Sequence, residues 1–111
     1  MVILKMEKKL NISERLMIMQ ILPKEGNFVL LKMIRDLNSK VGFSADEIQE
    51  FNIKTNDDKI TWDSKGMVEK AIDFKIKELE IIADALKKLD KESKLEFRHF
   101  SIFEKFAIEE K

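Results

Sequence analysis

The sequence predicts an α+β fold, mostly helical, of about five helices with a small antiparallel β-hairpin, in an order like that of a winged helix. Three observations lead there. Apolar residues recur at helical spacing in five separate stretches. Side chains that start helices stand in front of several of them. Between the third and fourth stretches the pattern changes to period two. The 111 residues fit one domain over 1–111, with the hairpin at about 59–76.

The first helix is expected over Ile12–Leu22, with Asn11 as N-cap, Glu14 completing a capping box, and Pro23 ending it. Its apolar residues, Ile12, Leu16, Met17, Ile18, Met19, Ile21 and Leu22, spread nearly all the way round. Such a helix is either central in the fold or shared with a partner. Residues 1–10 read either as an edge strand over Val2–Met6 or as a loosely held arm.

A second helix is expected over Phe28–Val41, capped by Asn27, with Leu30, Met33, Ile34, Leu37 and Val41 on one face. Gly42 fits the left-handed position that closes a helix. Ser44 and Glu47 form a second capping box, and Phe43 with Ile48 a hydrophobic staple, giving a short helix over Ala45–Asn52. Its inward face would be Ile48 and Phe51.

Thr55-Asn56-Asp57-Asp58 is turn chemistry. Ile60 and Trp62, and then Ile72, Phe74 and Ile76, alternate with polar neighbours. They read as two strands paired across a long loop, with Ile60, Trp62, Ile72 and Phe74 on one buried face. The competing reading extends the next helix back to Met67. Two helices follow, over Lys77–Lys91 and Glu96–Ala107.

Function is legible mainly by exclusion. Lys+Arg and Asp+Glu are both 21, so there is no basic excess of the kind that releases counterions from phosphates, and nucleic acid is not expected as a partner. The candidate recognition helix of a winged-helix reading carries Asp46, Glu47 and Glu50 and no Lys or Arg. A winged-helix DNA-binding regulator is therefore the alternative rather than the leading reading. With no Cys and a single His, thiol chemistry and Cys-type or His-cluster metal sites are not expected. Asp57, Asp58 and Asp63 lack the spacing of a calcium loop and read as turn residues. Gly26, Gly42 and Gly66 are isolated, with no phosphate-binding loop. Neither cofactor nor enzymatic activity is expected, and the lone His99 reads as a partly buried imidazole bonded to a backbone group. Trp62 reads as half-buried packing, and the methionines as core filling. Residues 1–4 form too short an apolar run for a signal or a membrane span, so a cytoplasmic protein is expected.

The last helix carries more apolar surface than one packing face needs. Phe97, Phe100, Ile102 and Phe106 are the candidate partner-facing residues, and the leading expectation is an interaction or structural accessory protein, either self-associating, with a two-fold homodimer the commonest form, or a partner of another protein.

Glu14-Arg15-Leu16, Ile21-Leu22-Pro23-Lys24-Glu25-Gly26, Phe43-Ser44, Thr61-Trp62, His99-Phe100-Ser101 and Glu104-Lys105-Phe106 together resemble a group of small uncharacterised proteins of phages and prokaryotes. The resemblance implies a compact stand-alone protein of no assigned activity, and it carries over no functional residue.

Overall fold

The computed structural model describes residues 5–57, 59–63 and 69–107. Among these, the order is β1 (Lys5–Leu10), α1 (Ile12–Ile21), α2 (Phe28–Val41), α3 (Ala45–Glu50), β2 (Lys54–Asn56), β3 (Lys59–Thr61), β4 (Lys70–Lys75), α4 (Ile76–Lys91), a 3₁₀ turn (Phe97–His99) and α5 (Phe100–Phe106). This is the mostly helical α+β fold that the apolar periodicity predicts. No helix among the described residues is long and apolar enough to cross a membrane.

α1 is the central element. It packs against α2, α4 and α5, and every residue in it except Gln20 is at least half-buried. Enclosure by the rest of the fold thus accounts for its all-round apolar surface. The core around it joins Leu10, Ile18, Leu37, Phe74, Ile82, Leu86 and Ile102, all removed from water. The Phe74 and Phe106 rings meet edge to face, with centroids 5.6 Å apart.

The expected strands are present, but their pairing differs. β3 pairs with β2 in a hairpin of three residues a side, Thr55 opposite Ile60, around Asp57, whose φ is 48°. β4 pairs instead with β1 over six positions, from Lys5 opposite Lys75 to Leu10 opposite Lys70. Ile72 and Phe74 are buried, while Ile60 is exposed and Trp62 is half-buried, so these four do not share a face. The physical reason lies in β1, where Met6, Lys8 and Leu10 share one face with Ile72 and Phe74. Lys8 holds its place there by laying its ammonium 5.7 Å from the centre of the Phe106 ring. That face covers the core in place of the expected hairpin. Ile76 begins α4 and is exposed, rather than ending a strand. The competing helix back to Met67 is excluded over Lys70–Lys75. The Val2–Leu4 part of the expected edge strand, Asp58, and residues 64–68 lie outside the described residues.

Helix ends bring a second correction. Gly42 is extended (φ −69°, ψ 175°), and a side chain there would place Cβ 2.8 Å from the Asn38 carbonyl oxygen. Close approach, not left-handedness, is what requires the glycine. The left-handed residues that follow helices, among the described residues, are Asn52 (φ 55°) after α3 and Ser93 (φ 58°) after α4. In each case the next N–H reaches back to close the turn, Ile53 to Ile48 O at 2.9 Å and Lys94 to Leu89 O at 2.8 Å.

Three buried or half-buried glutamates share one role. Each is the third residue of a helix, accepts the N–H of the residue before that helix, and is met by a cation from a distant element. Glu14 of α1 accepts from Asn11 N–H (3.0 Å) and Lys105 (2.9 Å). Glu78 of α4 accepts from Lys75 N–H (2.8 Å) and Lys40 (2.5 Å). Glu47 of α3 accepts from Ser44 N–H (3.1 Å) and from Arg15. Every one of these cations also takes a main-chain carbonyl: Lys105 that of Lys9, Lys40 that of Asp73, and Arg15 those of Val41 and Gly42. Each pair therefore ties a helix N-terminus to another element at a defined position.

Candidate functional site

The chain leaves α4 at Ser93 and re-enters a helix only at Phe100. The connection is held by His99, which is buried and whose Nδ1 accepts the Glu96 N–H at 3.0 Å. That bond closes the 3₁₀ turn, and it is the backbone-bonded imidazole expected from the sequence. The turn aims the aromatic residues in two directions. Ile102 is fully buried and Phe106 packs on Phe74, so these two belong to the core and are not partner-facing, a correction to the expected set. Helical spacing explains it, since Ile102, Phe103 and Phe106 lie within an arc of about 100° that faces α1 and α4. Phe97 is 96% exposed and Phe100 is 60% exposed.

Between these side chains lies a groove of about 500 Å³, lined by Leu95, Phe97, Phe100, Phe103 and His99, with Asp90, Glu96 and Glu104 beside them. Its volume is that of a site for a small ligand or a few side chains. Its wall is aromatic, and its charged residues are all acidic.

The buried and half-buried charged groups Arg15, Glu14, Glu47, Glu78, Lys40 and Lys105 are engaged in holding the fold. Arg15 is 2% exposed and uses its whole fork. Nη1 and Nη2 meet the two Glu47 carboxylate oxygens at 2.7 and 3.1 Å, Nε meets Val41 O at 2.9 Å, and the guanidinium plane lies 4.3 Å from the centre of the Phe43 ring. The Arg15 hydrogen bond holds the Glu47 carboxyl down at about 2 from an ordinary 4.5, against the opposing effect of burial. Burial pulls the Lys105 ammonium down, but its hydrogen bonds to Glu69 and Glu14 outweigh this and hold it above the usual lysine value. Among the described residues, no buried side-chain nitrogen or oxygen lacks a partner, and no group of three or more His, Asp or Glu is placed to hold a metal ion.

Two features of this surface were not legible in the sequence. Phe28 and Val29, at the start of α2, are 80% and 67% exposed. The capping boxes at Glu14 and Glu47 were legible, but their cations were not, because Lys105 and Arg15 lie far away in sequence. No protein-family model, no curated protein and no solved structure matches the chain.

Proposed function

We propose that the protein is a non-enzymatic interaction protein that self-associates through the Phe97–Phe100 groove, a second copy of the chain being the occupant. The observation that carries this is the exposure of Phe97 and Phe100 along one groove, where the turn closed by the Glu96–His99 bond meets α5. Exposed aromatic surface of this kind is rare on a soluble monomer outside contact sites. The start of α2 supplies a second exposed apolar cluster, so two copies provide both sides of a contact.

Burying two phenylalanines contributes about 3–6 kcal/mol. Joining two bodies costs about 4–15 kcal/mol, so flanking contacts must add to the aromatic pair, and a dissociation constant on the order of micromolar is expected. The non-enzymatic part of the reading is supported by the engagement of Arg15, Glu47, Glu14, Glu78 and His99 in structural bonds. A cytoplasmic setting belongs to the proposal, since a chain without cysteine needs no oxidising compartment to fold.

Sedimentation velocity across the micromolar range tests the reading. The wild type is expected to gain mass with concentration, and Phe97→Asp with Phe100→Asp to stay at monomer mass with unchanged circular dichroism. A wild type at monomer mass throughout overturns it. The order α1, α2, α3, hairpin favours a winged-helix reading, but the exposed charges of α3 are Asp46 and Glu50, and it carries no Lys or Arg to meet phosphates. Duplex binding that weakens steeply with salt would favour that alternative.

A further inference from the structure

We propose that the contact between copies is heterologous: the exposed start of α2 in one copy seats in the aromatic groove of the next. This rests on the self-association reading and names the surface that fills the groove. Phe28, Leu31, Lys32 and Arg35 fall within about 100° of arc on α2, and all four are exposed. They form a stripe with apolar residues at the helix start and two cations behind them. No acidic residue stands in the first turn of α2, so the positive end of its dipole is uncompensated there.

The groove is the counterpart in shape and sign. Its wall is apolar and its charged residues are Asp90, Glu96 and Glu104. Glu96 is engaged by Arg98 at 2.7 Å. Among the described residues, Asp90 and Glu104 have no ion-pair partner, and neither have Lys32 and Arg35. Placing one groove against another would bring acid against acid and leave Phe28 in water. Seating α2 in the groove brings cations to acids, buries Phe28, and sets a helix N-terminus toward negative charge. Each copy can give one such contact and receive one.

Two variants that each lose one side of the contact decide it. Phe28→Asp removes the knob and Phe100→Asp spoils the groove. Both sites are exposed, and an acid in the first turn of α2 favours the helix, so folding is retained and circular dichroism checks it. Each variant alone is expected to sediment as a monomer at concentrations where the wild type associates. An equimolar mixture is expected to regain a species of dimer mass, because each variant keeps the surface the other lacks. That species is expected to weaken on raising salt from about 0.05 to about 0.5 M, as screened rim charges do. Phe28→Asp that associates like the wild type overturns the heterologous contact, and so does a mixture that stays monomeric. A monomeric wild type removes the self-association reading itself, and this contact with it.

Discussion

Arg15 is the residue on which the interior depends most. It reaches from α1 to the carbonyls at the end of α2 and to Glu47 of α3, so three elements meet on one side chain. Replacing a buried partner leaves the others unpaired, and Arg15→Met is expected to cost about 3 kcal/mol in urea unfolding. Arg15→Lys keeps the charge but loses the planar fork, so it should recover only part of that cost. The pair also sets an acid limit. Glu47 is held at about 2 from 4.5, so its contribution is complete above pH 4.5 and is lost as pH falls toward 2. The wild type should lose stability across that window, and Arg15→Met should show a flatter acid limb. Equal midpoints, or parallel limbs, would show that the pair is incidental. Glu47 could be read from the sequence as a capping residue because its partner Ser44 is three positions away. Arg15 could not, because nothing local marks an arginine as the one that will be buried.

Among the α-helices, α3 is the one with no buried residue to anchor it. The expected inward residue Ile48 is 45% exposed, while the expected staple partner Phe43 lies under Arg15 instead. The helix is held through Glu47 rather than by apolar packing. Amide exchange in Ala45–Glu50 is therefore expected to be much faster than in the cores of α1 and α4. Arg15→Lys should quicken α3 further while leaving α4 unchanged. Uniform protection across the three helices would contradict this. The capping signals around Ser44 specify that a helix starts, and they specify nothing about which side is covered. The same limit explains the strands. Period two at Ile60 and at Ile72 and Phe74 shows two strands, but pairing depends on which face covers the core. In β1 that face alternates Met6, Lys8 and Leu10, and its lysine hides the pattern. Ser93 and Asn52 were likewise unreadable as left-handed caps beside the more permissive Gly42.

At the scale of the whole molecule, one core encloses α1 and leaves two apolar surfaces outside it. One is apolar with acids beside it, at the turn into α5, and the other is apolar with cations behind it, at the start of α2. The excess of apolar residues in the last helix was legible as a count. Its division into a buried Ile102 and a half-buried Phe106 against an exposed Phe97 and Phe100 was not, because a wheel separates these two sides without saying which of them the rest of the fold covers. The proposed self-association predicts where the surface changes as copies meet. Amide spectra recorded by NMR over a dilution series of the wild type read this position by position. Signals from Leu95–Glu104 and Phe28–Arg35 should shift or broaden together as concentration rises, while those of β2, β3 and α3 stay fixed. Spectra that superimpose from the lowest to the highest concentration would contradict the account.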